Sequence, residues 1–149
     1  MKILFINGSP EKNGNTAALA ASLLKGKEYE TLNLTDYQIG SYGQQLPGDQ
    51  LKEVIRKIKE SEILVIGSPL YWHNLCGSIR NMLDRFYGLV EEGELSGRTL
   101  YFLFQGAAPE SWMMEAGEYT MKRFAGLYGM KYAGMATNRH EAEKLGKGI

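Results

Sequence analysis

Cysteine and histidine are nearly absent: the chain has one thiol, Cys76, and two imidazoles, His73 and His140. One thiol forms no internal disulfide and holds no iron–sulfur cluster by itself. Two histidines make a poor zinc site, so no metal is expected. An excess of charge is lacking too. Seventeen basic side chains cancel seventeen acidic ones, and no Lys/Arg stripe occurs. No net field therefore favours nucleic acid or an anionic membrane. Apolar runs such as Ile63 to Ile66 are far too short to span a bilayer. "MKILFING" lacks the apolar length and cleavage site of a signal peptide. A cytoplasmic location is the resulting expectation.

What is present suits one globular domain, residues 1–149, with 44% hydrophobic and 23% charged residues. The apolar spacing alternates between two kinds of segment. "KILFIN" (2–7), "EILVIGSP" (62–69) and "RTLYFLFQG" (98–106) are apolar runs that predict strands buried on both faces. "YETLNL" (29–34) and "KYAGMAT" (131–137) predict two weaker strands. Between them, helices are predicted over 16–25, around Leu51, Val54, Ile55 and Ile58, and around Ile79, Met82, Leu83 and Phe86. A long helix is predicted over 111–128, with Met113, Gly117, Met121, Phe124 and Tyr128 inward, and a short one over 139–146.

Strand and helix thus alternate five times. That predicts an α/β three-layer sandwich: a five-stranded parallel sheet in the flavodoxin-like order 2-1-3-4-5, with helices on both faces. Such sheets bind ligands where strand order reverses, so the loops after strands one, three and four form one expected site.

The first loop is "NGSPEKNGNTAAL", residues 7–19. A helix N-terminus carries unpaired N–H groups and about half a positive charge. Gly8 and Gly14 let the backbone curl near an anion, and Ser9, Asn15 and Thr16 add donors. The bland alternative is a capped polar turn. A GxxxxGK[ST] loop is excluded because Asn15 follows Gly14, and GxGxxG is absent as well. The loop suits one phosphate monoester. The second loop, "GSPLYWHNLCGS" (67–78), places Tyr71 beside Trp72 at a buried strand's end. It either lines a flat ligand or covers core or interface. The third, "FQGAAPES" (104–111), puts Gln105, Gly106 and Ala107 where a ligand can approach closely. Its plain alternative is a strand-to-helix turn. A phosphate cradle and an aromatic slot at one sheet edge describe a phosphorylated planar cofactor, which FMN satisfies.

These two stretches resemble the NAD(P)H-dependent FMN reductases and quinone reductases of the flavodoxin-like superfamily. "NGSPEKNGNTAAL" is similar to their phosphate loop GSPRxxGNT, and "IGSPLYWHNLCGSIRNMLDRFYG" to their TPxYWxxxxGxxKxFIDR segment. The likeness runs the length of the chain. It implies that Ser9, Asn15 and Thr16, with the amides of Gly14 and Ala17, hold the phosphate. Pro69, Leu70, Tyr71 and Trp72 would line the ring, and Gln105, Gly106 and Ala107 its other edge; His73 is a candidate donor toward the flavin or a substrate, with a solvated loop histidine as the alternative. Departures are specific. Glu11 stands where many members carry a basic residue, and Lys12, one position on, is expected to face the phosphate. His73-Asn74 replaces small residues. Some relatives carry a cysteine cluster after the second strand, where this chain reads "IGSYGQQLPG".

The implied activity takes hydride from NADPH or NADH to the flavin N5 and on to a small acceptor such as a quinone, an azo or nitro compound, or free flavin. No catalytic side chain is expected. A homodimer is expected, with Trp112, Met113 and the 70s loop as contacts. Three rivals stand beside it: a flavodoxin-type electron carrier, a non-catalytic flavin-binding module, and a phosphate-ester enzyme. A carrier is expected to be strongly acidic, and the pI here is near 6.7. Cys76 reads as a small buried residue before a redox thiol.

Overall fold

The computed structural model describes all 149 residues. Its elements run β1 (Ile3–Asn7), α1 (Asn15–Leu23), β2 (Glu30–Asn33), α2 (Leu51–Glu60), β3 (Ile63–Tyr71), β4 (Asn74–Leu75), α3 (Gly77–Arg85), β5 (Thr99–Gln105), α4 (Ser111–Leu127), β6 (Lys131–Ala136) and α5 (Arg139–Gly146). One 3₁₀ turn, Leu34–Asp36, follows β2. No helix is long and apolar enough to cross a membrane.

Five strands pair in parallel in the order β2-β1-β3-β5-β6. Their spatial sequence is the expected one, but the sheet has a sixth member. β4 pairs antiparallel with the end of β3, Leu70 opposite Leu75 and Tyr71 opposite Asn74. The expected end of the third strand at Pro69 is therefore two residues short, and "five strands" is corrected to six. No Asn-Gly or Asp-Gly pair marks this hairpin in the sequence, because its two turn residues are Trp72 and His73.

Alternation along the strands feeds two cores. Leu4, Ile6, Leu64, Ile66, Phe102 and Phe104 face one layer and meet α2, α3 and α4. Ile3, Phe5, Val65, Tyr101 and Leu103 face the other and meet Leu19, Ala20 and Leu23 of α1 and Ala142 of α5. Central strands buried on both sides have no polar face, which explains their unbroken apolar runs. α2 buries Leu51, Val54, Ile55 and Ile58 and places Glu53 in its first turn and Lys57 and Lys59 in its last, in accord with its dipole. In α4 the five residues expected inward are all buried, with Tyr128 at the C-cap. Asn138 caps α5 by accepting from the Glu141 amide at 2.9 Å.

Candidate functional site

β1, β3 and β5 end together, so the three loops share one edge of the sheet. Loop one leaves β1 under tight control. The Gly8 amide donates to the Gly67 carbonyl at 2.9 Å, and the buried Asn7 side chain accepts from the Ser9 amide at 3.0 Å. Ser9 Oγ accepts from the Glu11 amide at 3.1 Å, and the Glu11 carbonyl accepts from the Gly14 amide at 3.2 Å. The loop is a chain of local bonds that fixes its own shape.

Beyond it the donors run free. The amides of Lys12, Asn13, Asn15, Thr16 and Ala17 have no acceptor within the chain. They lie at the N-terminus of α1, which has no side-chain cap. Unsatisfied N–H groups with the positive end of a helix dipole favour an anion. The expected residues divide here. Asn15 is exposed, Ala17 is half-buried, and Thr16 is buried beneath them. Thr16 Oγ1 accepts from Gln105 Nε2 at 3.3 Å, tying loop one to loop three.

Two residues behave differently from the sequence reading. Lys12 Nζ lies 2.7 Å from Asp36 Oδ1, paired with the turn after β2. In this structure its charge is engaged laterally. Gly8 is small for packing: a Cβ there would lie 2.4 Å from Ile79 Cγ1 and 2.9 Å from Cys76 Sγ. The loop therefore rests directly on α3, where Ser78 Oγ also donates to the Gly8 carbonyl at 2.7 Å.

Loop two is the β3–β4 hairpin. Trp72 and His73 hold φ of 47° and 67°, the left-handed region that non-glycine residues rarely occupy. Trp72 is 94% exposed at the tip. His73 stacks on Trp112 of α4, centroids 5.6 Å apart and planes 15° apart. Trp112 Nε1 donates to Glu110 Oε2 at 2.6 Å. Pro69 is buried and Leu70 half-buried at the base. The buried Ser68 Oγ accepts from the Cys76 amide at 2.9 Å, so the return strand is anchored where it meets α3. Cys76 is itself 2% exposed and packs in the core.

Loop three follows β5, whose Gln105 pairs with Pro69. The amides of Gly106, Ala107 and Ala108 have no acceptor within the chain. A Cβ on Gly106 would lie 2.7 Å from Leu70 Cβ, so this loop presses against the hairpin base. The edge thus carries two rows of free amides, 12–13 with 15–17 and 106–108, with Pro69 and Leu70 between β1 and β5.

A device the sequence reading missed braces the stretch after β2. Arg85 Nη1 and Nη2 bond Asp49 at 2.7 and 3.2 Å, and Arg85 Nη1 reaches the Gly40 carbonyl at 2.7 Å. Asn81 Nδ2 donates to the carbonyls of Ile39 and Gly40. Arg85 holds the Asp49 carboxyl well below the usual carboxylate range against the opposing effect of burial, with the Gly40 and Leu51 amides assisting. No local sequence signal marks Arg85, which follows Asp84 at the end of an amphipathic helix.

The family model for NADPH-dependent FMN reductase matches residues 1–141. An iron-sulfur flavoprotein of Archaeoglobus fulgidus is 35% identical over 57% of this chain and 48% of its own length. A Bacillus subtilis protein named as an NAD(P)H-dependent FMN-containing oxidoreductase is 30% identical over 58% of this chain and 52% of its own. The chain thus spans about half the length of these curated relatives. Among solved structures, the Trp repressor binding protein of Bacillus subtilis superposes with a TM-score of 0.79 at 20% identity, covering 97% of this chain and 98% of that one. An NADH:FMN oxidoreductase in its apo form gives 0.67 at 21% identity, over 98% and 84%. These likenesses establish the flavodoxin-like fold, and the match over residues 1–141 places the chain in the family of NADPH-dependent FMN reductases.

Proposed function

We propose that the chain binds FMN across the ends of β1, β3 and β5 and acts as an NAD(P)H-dependent oxidoreductase on a small acceptor. The observation that carries this reading is the pair of free amide rows flanking Pro69 and Leu70. The first row, with Ser9, Asn15 and Thr16, suits a phosphate by charge and donor count. The Gly14 amide is engaged by Glu11, so Gly14 contributes backbone shape and the amides around it contribute bonds. The second row offers fixed donors to the polar edge of a ring, with Gln105 held in place by Thr16. Leu70, Tyr71, Trp72 and His73 supply the apolar and aromatic side.

FMN, when bound, supplies the hydride chemistry. The chain's residues bind, orient and shield. Donors fixed before binding favour negative charge without reorganisation. No side-chain nucleophile is required, in keeping with the absence of a triad at this edge. NADPH or NADH as reductant, and a quinone, azo, nitro or free-flavin acceptor, complete the reading. A homodimer is part of the same proposal. A pI near 6.7 argues against an electron carrier that docks through acidic charge.

The test is the absorption spectrum of the protein titrated with FMN, followed by anaerobic mixing with NADPH or NADH. Bound flavin bleached within seconds supports the reading. A colourless protein indifferent to FMN refutes it and revives a phosphate-ester enzyme. Flavin that binds but stays oxidised indicates a carrier or a binding module. Asn15→Ala with Thr16→Ala is expected to weaken FMN binding by about 1–3 kcal/mol per lost charge-assisted bond.

A further inference from the structure

α1 packs over β1, β3 and β5 and leaves the same face of β2 open. Leu32 turns into the α2 layer, so its neighbours Thr31 and Asn33 face the α1 side. A groove of about 570 Å³ runs between them and the helix. Ala18 and Ala21 line it from α1, and Phe5 lines it from β1. Lys12 and Asn13 of loop one line its head, and their amides belong to the first free row. The groove therefore continues the proposed phosphate site along the outside of the fold.

Its polar lining has donors and acceptors to offer. Asn33 Oδ1 accepts from Asn7 Nδ2 at 3.1 Å, while Asn33 Nδ2 donates to nothing in the chain. The side chains of Asn13, Tyr29 and Thr31 make no hydrogen bond within the chain. A purely apolar ligand would leave these groups without partners. Lys12 Nζ lies 2.7 Å from Asp36 Oδ1 beside the head, and both side chains are half exposed. An ammonium has three donors, so one stays available to an anion. From Asn33 back to Tyr29 the chain covers about 13 Å at strand spacing. That is room for a phosphate, a ribose and a purine in line.

We propose that this groove takes the adenosine 5′-phosphate half of a dinucleotide, with its phosphate at Lys12 and Asn13 and its base toward Tyr29. The inference rests on the phosphate reading of the first amide row, which the groove extends. Each part of the ligand meets suitable chemistry. The phosphate meets an ammonium and free amides. The ribose hydroxyls meet Thr31. The purine offers ring nitrogens to Asn33 Nδ2 and a flat face to the Tyr29 ring. An extended peptide would pair with the edge of β2 and leave these face-directed side chains unused. FAD and NADPH carry the same adenosine group, so either can supply it.

Isothermal titration calorimetry on the full chain tests this with FMN, with FAD, and with NADPH added to the FMN-loaded protein. Ala21→Trp fills the groove from the helix and Thr31→Trp from the strand, both at exposed positions. Each variant is expected to bind FMN within about twofold of wild type and a dinucleotide about tenfold or more weakly than wild type. A loss confined to FAD makes the flavin the source of the adenosine, and a loss confined to NADPH makes it the reductant. FMN bound while both dinucleotides fail to bind wild type, or keep their affinity in either variant, overturns this inference and leaves the flavin site standing. An equal loss for FMN and the dinucleotides overturns it too, because the substitutions then act on the loop. Wild type that binds none of the three overturns the flavin reading as well.

Discussion

Gln105 Nε2 donates to Thr16 Oγ1 across 3.3 Å, joining side chains 89 positions apart in sequence. One residue ends β5 and the other lies in the first turn of α1, so a single bond links the two amide rows that the register of β1, β3 and β5 brings together. Thr16 is 1% exposed, which leaves its hydroxyl no solvent to exchange for this partner. Thr16→Val keeps the shape and removes the acceptor. Stability to urea is expected to fall by about 0.5–1.5 kcal/mol. FMN affinity, read by quenching of flavin fluorescence, is expected to fall about tenfold.

Asp49 and Arg85 give the fold a predictable acid sensitivity. The Arg85 hydrogen bonds depress the folded pKa of Asp49 below its unfolded value, chiefly against the cost of burial. A depressed carboxylate contributes stability above its unfolded pKa, about 4, and loses it as the pH falls through the folded value. Asp49→Asn removes this contribution. The stability gap between wild type and variant is expected to be about 1–3 kcal/mol at neutral pH. It should be level above about pH 5 and shrink steadily below that. Urea denaturation at a series of pH values gives the gap directly, and a gap that widens in acid contradicts the assignment.

The parallel frame was legible because both faces of β1, β3 and β5 are covered, and double burial leaves no polar residue in the run. The amphipathic stripes of α2 and α3 were legible for the complementary reason, one buried face each. The β3–β4 hairpin was not. Trp-His carries no turn preference, and tertiary contacts of His73 with Trp112 and of Ser68 with Cys76 hold it closed. Lys12 was expected to face a phosphate, but its distance to Asp36 depends on where the turn after β2 folds back. Asp49 and Arg85 stand 36 positions apart, with α2, β3 and β4 between them, and nothing local encodes such a meeting.

Gly8 tests whether the loop after β1 is shaped by the proposed phosphate or by its support. Ile79 Cγ1 and Cys76 Sγ occupy the space a Cβ would need. Gly8→Ala must push the loop off α3 or displace Ile79, and overpacking of this kind costs about 1–3 kcal/mol. A drop in thermal midpoint is expected without any cofactor present. Gly8→Ala with Ile79→Val frees one methyl group and is expected to recover part of the loss. A Gly8→Ala protein as stable as wild type would place the constraint outside this contact.

The turn at Trp72 and His73 separates strain from use. A two-residue hairpin with both φ positive favours Asn-Gly, and each left-handed non-glycine residue costs about 1–2 kcal/mol. Trp72 is 94% exposed, so its indole regains little of that by packing. Trp72→Asn is therefore expected to raise stability by about 0.5–1 kcal/mol. His73 differs, because its ring stacks on Trp112, a contact worth about 0.5–1.5 kcal/mol. His73→Gly relieves strain and loses the stack, so its net change is expected to be close to zero. Strain kept at an exposed tip beside a site is the pattern of a functional residue. Trp72→Asn is accordingly expected to pair its gain in thermal midpoint with a several-fold higher KM for the acceptor. A gain in stability with KM unchanged would deny the indole any part in binding.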